Sequence, residues 1–330
     1  MKNNIISLVI LIVFLVAFSF IFSYLTEKTN KPLPASSSLL SITELPKNDE
    51  KKLFENQLSS RDNYIFNSLN PNLIPLRDWS IKEPEIQAQA AAIFDPDGNK
   101  FLFQKNIEKS FPIASITKLM TANIVLENLN LDDVIKISKQ AVMTYGENGH
   151  LVIGEELTVR DLIYALLIES SNDAAMALAE KTEMVTGNNF VSLMNKKARE
   201  IGLTHSVFVD PIGINPQNKS NISDLIKLIN YSFKNSFIWQ ATSIKEIEVI
   251  SKNKKIVHHF KNTNQLLGGL PEVIAGKTGY TEEAKGCMIV LVKHPQKKGQ
   301  YLYVIILGSN QREKEVKTLI NWVNQAFVWQ

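Results

Sequence analysis

The hydrophobic and polar positions of this 330-residue chain fall into three regimes. Ile5 to Leu25 is an unbroken run of 21 residues without a charge or a proline. As a helix rising about 1.5 Å per residue it would reach roughly 30 Å, the thickness of a bilayer's hydrocarbon core, whereas a secretory signal carries an apolar stretch of only about 7–15 residues. Residues 1–28 are therefore predicted to be an N-terminal transmembrane anchor, with cleavage after Ser19 in Ala17-Phe18-Ser19 as the alternative. Lys2 and the α-amine on one flank oppose Lys28 and Lys31 on the other, so charge does not orient the span. The four-residue tail favours export of the bulk of the chain. From residue 29 to 85 the pattern turns polar, and Pro32, Pro34, Pro46, Pro71, Pro75 and Pro84 interrupt any long helix. This stretch is expected to be a stalk that holds the rest of the chain away from the bilayer.

Residues 86–330 carry the periodicities of a folded domain. Ala88 to Phe94 and Lys100 to Gln104 flank Asp95-Pro96-Asp97-Gly98, which predicts a hairpin around a tight turn. Apolar residues at helical spacing follow in Ala114–Leu129, Val159–Thr182, Asn189–Ile201 and Asn221–Phe233. Strand-like runs rich in β-branched residues return at Cys287–Val292 and Tyr301–Leu307. Val316, Leu319, Ile320, Val323 and Phe327 then line one face of a terminal helix expected to pack on the sheet. A hairpin at the start, helices in the middle and strands at the end predict one antiparallel sheet built from both ends of the domain, flanked by helices and carrying a helical lobe. The class is α+β rather than repeating βαβ.

Composition narrows the function. Apolar residues at 45% and charged residues at 21% exclude a disordered or collagenous chain. The net charge of +3, from 36 basic against 33 acidic residues, supplies no basic patch for nucleic acid, and none is expected to bind. The single cysteine, Cys287, excludes an internal disulfide or a multi-cysteine metal site and reads as a core strand residue.

Three short motifs carry chemistry. Ser115-Ile116-Thr117-Lys118 opens an apolar helix, and residues three apart share a helix face, so the Lys118 amine can lie beside the Ser115 hydroxyl. A serine needs a base within hydrogen-bond reach, and a lysine in a dry cleft near other cations can be neutral enough to serve. Ser170-Ser171-Asn172 follows the apolar run Leu162–Ile168. Lys277-Thr278-Gly279 occurs once, beside Gly276 and Tyr280, with glycines that permit close backbone approach and a lysine and hydroxyl suited to a carboxylate. Each motif alone is weak. Ser251 and Lys254 repeat the first spacing in a polar, turn-like stretch without a helix to align them.

In this order the motifs, with Ile113 to Thr121, Ser170 to Ala175, Phe190 to Asn195 and Gly276 to Thr281, resemble the D-alanyl-D-alanine carboxypeptidase family of serine peptidases, the low-molecular-mass penicillin-binding proteins, over about Ala88 to Phe327. The resemblance implies a membrane-bound enzyme that removes the terminal D-alanine of peptidoglycan stem peptides and is acylated by β-lactams, with its catalytic domain on the extracytoplasmic side. It implies that Ser115 is the nucleophile and Lys118 its general base. Ser170 would relay a proton to the leaving D-alanine, and Asn172 would hold the substrate amide and the Lys118 side chain. Lys277 and Thr278, next to Gly279, would bind the substrate carboxylate, with Lys277 also pushing Lys118 towards neutrality. The backbone N–H groups of Ser115 and Tyr280 would form the oxyanion hole. Lys285 stands where the family usually has a glycine after the third motif, which is expected to reshape that turn.

The alternative within the fold is a D-alanyl-D-alanine endopeptidase that cuts cross-links. A β-lactamase is disfavoured because no glutamate lies between Glu200 and Glu246 to position a deacylating water. A silent wall-binding protein would not need every one of these groups. His258-His259 is not expected to bind metal, because strand neighbours face opposite sides and no partner stands at ligand spacing. His150 and His205, beside turns, read the same way. No metal or cofactor is expected. Glu155-Glu156 and Asp132-Asp133 are read as helix-start charges, and Trp79, Trp239, Trp322 and Trp329 as packing or interface residues.

Overall fold

The computed structural model describes residues 74–146 and 149–330; the expected anchor at 1–28 and the stalk up to residue 73 lie outside the described residues. The strands are β1 (Pro75–Arg77), β2 (Ala90–Asp95), β3 (Lys100–Lys105), β4 (Phe111–Pro112), β5 (Val134–Lys136), β6 (Glu156–Thr158), β7 (Lys219–Ser220), β8 (Glu246–Ile250), β9 (Val257–Lys261), β10 (Val273–Thr281), β11 (Lys285–Lys293), β12 (Tyr301–Ser309) and β13 (Phe327–Trp329). The helices are α1 (Lys118–Asn128), α2 (Lys139–Val142), α3 (Val159–Tyr164), α4 (Asn172–Thr186), α5 (Phe190–Glu200), α6 (Ile222–Ser232), α7 (Ser236–Ser243) and α8 (Arg312–Ala326).

The main sheet has the order β10-β11-β12-β2-β3, antiparallel throughout, so strands from both ends of the domain meet at the β12–β2 seam. Alternate residues of these strands serve two cores, as a period of two requires. Ala91, Ile93, Met288, Val290, Leu302, Val304 and Ile306 face α8 through Val316, Leu319, Ile320 and Val323. Ala90, Ala92, Cys287, Ile289, Tyr303 and Ile305 face the helical lobe, whose centre is α1. Because both faces are covered, the central strands read in sequence as continuous apolar runs rather than alternating ones. The expected α+β class, with helices on an antiparallel sheet beside a helical lobe, is the architecture found.

Four local differences have physical causes. Residues 74–85, assigned to the stalk by their prolines, run along the folded body: β1 pairs with β13, and Asp78 N–H donates to Ala326 O at 2.8 Å. A proline at the first position of an edge strand costs no ladder hydrogen bond, so Pro75 does not prevent the pairing. Phe327 belongs to β13 rather than to the terminal helix, yet it still packs edge-on to Trp322 at 5.5 Å between ring centroids. The segment read as one helix from Val159 to Thr182 breaks after a single π-turn, Ala165–Glu169, with Ser170 in the left-handed region at φ 67°. Ser171 then caps α4, its hydroxyl accepting from Ala174 N–H at 3.0 Å. Finally, Lys277-Thr278-Gly279 lies within a strand of its own, β10, directly ahead of the apolar strand β11.

Lys285 keeps the turn that a glycine would make, at φ 53°. A non-glycine residue there is strained by roughly 1 kcal/mol, and its exposed ion pair with Glu282 offsets little of that. Lys285→Gly is expected to stabilise the fold by about 1 kcal/mol, raising Tm by about 2–4 °C in a thermal melt. An unchanged or lower Tm would show that the turn is unstrained.

Candidate active site

Three segments converge: two turn sharply at their motifs, and the third is strand β10, which runs past them. The first is a 3-10 turn, Ala114–Thr117, that runs into α1 and is entered through Ala114 at φ 46°. This left-handed step turns the chain sharply from β4 into the helix, and Ser115 sits on the turn. Strand β10 passes directly alongside. A methyl group at Gly279 would lie 2.8 Å from Ser115 N and 3.1 Å from both the Ala114 methyl and the Ile113 carbonyl, so only glycine permits this approach. The second segment is the break at Ser170, which places Ser170 and Asn172 on the cleft side of the lobe.

The polar contacts form two groups, one around Lys118 and one around Lys277. The Lys118 amine, fully buried, donates to Ser115 Oγ at 2.9 Å, Asn172 Oδ1 at 2.7 Å and Ile212 O at 2.8 Å. These three positions match the three donors of the ammonium form; in the neutral amine one of them is a lone pair that can accept the Ser115 hydroxyl. Asn172 is oriented in turn by donating from Nδ2 to Tyr145 O at 3.2 Å. On the far side the Lys277 amine donates to Ser170 Oγ at 2.7 Å and to Thr278 O at 2.9 Å. Thr278 and Thr263 share a hydroxyl hydrogen bond of 2.6 Å. Arg312, the first residue of α8, donates to Gly279 O at 2.7 Å and so fixes the peptide that joins Gly279 to Tyr280. The Tyr280 side chain itself is exposed and donates its hydroxyl to Glu282.

Burial dominates the electrostatics. It pushes the Lys118 amine down to about 7, against the opposing pull of the Asp210 and Asp173 carboxylates. Repulsion from Lys277, which the resemblance implied as an added contribution, is not among the main causes. The repulsion instead falls on Lys277, which is held well below the ordinary lysine range by burial first, then by the Lys118 and Arg312 charges. A neutral Lys118 next to a serine hydroxyl can accept its proton near neutral pH.

All eight residues singled out in the sequence lie in this one region. Ser251 and Lys254 do not join it: the Ser251 hydroxyl accepts from Ile256 N–H, while Lys254 donates to Ile153 O. Cys287 is buried on β11, with burial pushing its thiol up to about 11. His258 is buried and His259 exposed, on opposite sides of β9. Glu155 is not a helix-start charge but a fully buried partner of His258 Nε2 at 2.8 Å. Trp239, Trp322 and Trp329 are buried, whereas Trp79 is exposed beneath the Arg77 guanidinium, 4.2 Å from its ring. Among the described residues no group of three or more His, Cys, Asp or Glu is arranged to hold a metal ion. Sequence reasoning missed the loop Asp210–Asn218, which supplies the Ile212 carbonyl, and also Tyr145, Thr263 and Arg312. The signal for the loop was Asp210-Pro211-Ile212-Gly213, a turn-forming run flanked by apolar residues.

The close passage of β10 gives a direct test. Gly279→Ala is expected to lower the rate of acylation at Ser115 by about 10²–10³-fold, because the strand must retreat from the Ser115 amide by several tenths of an ångström. Stopped-flow acylation by a chromogenic β-lactam measures it. A loss of less than threefold would mean that the spacing between strand and nucleophile does not matter.

Known proteins resemble this chain in sequence and fold. A model of the D-alanyl-D-alanine carboxypeptidase family matches residues 78–310. The chain is 30% identical over 249 residues to D-alanyl-D-alanine carboxypeptidase DacF of Bacillus subtilis, covering 73% of this chain and 62% of that one, so it spans about three fifths of that relative's length. It is 33% identical over 213 residues to a D-alanyl-D-alanine endopeptidase of Pseudomonas aeruginosa, covering 63% of this chain and 68% of that one. The crystal structure of the Streptomyces K15 DD-transpeptidase superposes with a TM-score of 0.67 at 30% identity, over 74% of this chain and 99% of that one. With the motifs, the fold and these likenesses in agreement, the chain belongs to the D-alanyl-D-alanine carboxypeptidase family of serine peptidases.

Proposed function

We propose that the chain removes the terminal D-alanine from peptidoglycan stem peptides through an acyl-enzyme on Ser115. The observation that carries this reading is the 2.9 Å contact between the Ser115 hydroxyl and a buried Lys118 amine that burial pushes down to about 7. The Ser115 oxygen attacks the carbonyl of the penultimate D-alanine while Lys118 takes its proton. The resulting oxyanion is stabilised by the N–H groups of Ser115 and Tyr280, with the Gly279–Tyr280 peptide held by Arg312. Collapse expels D-alanine, whose amine takes a proton through Ser170, the hydroxyl hydrogen-bonded to Lys277. Lys277 and Thr278 hold the substrate carboxylate, and Asn172 holds its amide. Water then cleaves the ester and frees the shortened peptide and Ser115. β-Lactams acylate the same hydroxyl but leave no departing amino acid.

The full-length chain is expected to release D-alanine from diacetyl-lysyl-D-alanyl-D-alanine. The likeness to an endopeptidase favours a second reading, cleavage of the D-alanyl cross-link, which uses the same groups on a longer leaving amine. Mass spectrometry of digested muropeptides separates the two: shortened monomer stems support trimming, and dimers converted to monomers support cross-link cleavage. Intact monomers and dimers alike would sink both. Residues 1–28 are proposed to anchor the chain in the membrane with the catalytic domain on the extracytoplasmic side, where its substrate lies.

A further inference from the structure

We propose that Asp210 is a positioning residue for the general base: its carboxylate clamps the loop that delivers the Ile212 carbonyl to Lys118 and supplies a negative charge balancing that amine. The inference rests on the acylation chemistry proposed above. Asp210 Oδ1 accepts from the N–H groups of Ile212, at 2.8 Å, and Gly213, while Oδ2 accepts from Asn215 N–H at 2.9 Å and Asn218 Nδ2 at 2.8 Å. Four donors on one half-buried carboxylate tie residues 210–218 into a single hydrogen-bonded turn.

That turn touches the nucleophile's segment at several points. Ile212 O accepts from Lys118, Pro211 O accepts from Thr121 Oγ1 at 2.6 Å, and Asn218 O accepts from Ile113 N–H at 3.1 Å. Gly213 sits so close that a methyl group on it would lie 2.0 Å from Ala114 O. The turn and the Ser115 segment are therefore joined by hydrogen bonds and close packing. The charges facing Lys118 are Asp210 from the loop, Asp173 from α4 and Lys277 from β10. Asp173 is committed elsewhere, accepting from Gly149 N–H at 2.9 Å and Leu151 N–H at 3.0 Å. Asp210 alone joins a backbone clamp on a Lys118 ligand to a charge that favours the ammonium.

The sign of the consequence follows. A negative charge stabilises protonated Lys118, so removing it makes the amine a base that is free at lower pH. The test compares pH profiles of Ser115 acylation by benzylpenicillin in the full-length parent and Asp210→Asn, whose amide oxygen keeps the contacts to Ile212 and Gly213. Each profile is normalised to its own plateau. The acid limb of Asp210→Asn is expected to move down by about 0.5–1 pH unit, giving roughly 3–10-fold higher relative acylation below the parent's midpoint. If Asp210→Asn does not fold, Asp210→Ser, whose hydroxyl still accepts from the loop, carries the same expectation. A lower plateau with an unmoved limb would overturn the proposal by reducing Asp210 to a structural clamp. A parent that is not acylated at all would instead refute the acyl-enzyme reading.

Discussion

Ser115→Ala is expected to abolish turnover, lowering kcat by about 10⁴-fold or more, because no second hydroxyl can take over attack. Lys118 donates to one serine, Ser115, and the other active-site serine, Ser170, is bonded to Lys277 instead. The loss should come without a loss of fold. Ser115 is half-buried and its side chain makes a single hydrogen bond, with Lys118, so the melting temperature should stay within a few degrees of the parent's. D-Alanine release and a thermal melt on the same preparation separate the two effects. Turnover within tenfold of the parent would show that another nucleophile does the chemistry.

Lys118→Met is expected to lower the rate of acylation by about 10³-fold or more, since it removes the base while filling most of the same volume. The substitution should also change how stability depends on pH. In the folded chain the amine is pushed down to about 7, against an unperturbed 10.5. Between these values the unfolded chain binds a proton that the folded chain does not, so the parent's stability rises with pH across that window. Below about 7 both states are protonated and the folded state carries the full cost of a buried ammonium. Denaturant unfolding from pH 6 to 10 should show this rise in the parent and a flatter curve in Lys118→Met, with Lys277 contributing the remaining slope in the same direction. Equal slopes in the two proteins would mean that Lys118 is charged in the folded state at neutral pH. Retained acylation would remove it from the mechanism.

What the sequence made legible was set by periodicity and spacing. Ser115 and Lys118 were visible because three residues on a helix fix a direction in space, and the structure keeps that geometry within the 3-10 turn and the start of α1. The sheet was visible because its central strands, covered on both faces, are continuous apolar runs. The break at Ser170 was not. Residues on both sides carry helical apolar spacing, and the helix breaks where the Ser170 hydroxyl is held by Lys277, more than 100 positions away. Likewise β1 was hidden by its proline, and Glu155 by a partner, His258, on a distant strand. Asp210 and Arg312 act on the site through backbone carbonyls, so neither leaves a motif of side chains at fixed spacing. Contacts made by the backbone at long range are those that local patterns do not encode.

Peptide mapping by mass spectrometry, on full-length protein incubated with benzylpenicillin at pH 8 and again at pH 5, tests most directly whether the buried amine of Lys118 activates the Ser115 hydroxyl. A single covalent adduct on the peptide containing Ser115, formed readily at the higher pH and far more slowly at the lower, is the predicted result. An adduct on any other side chain, or equal labelling at both pH values, would contradict it.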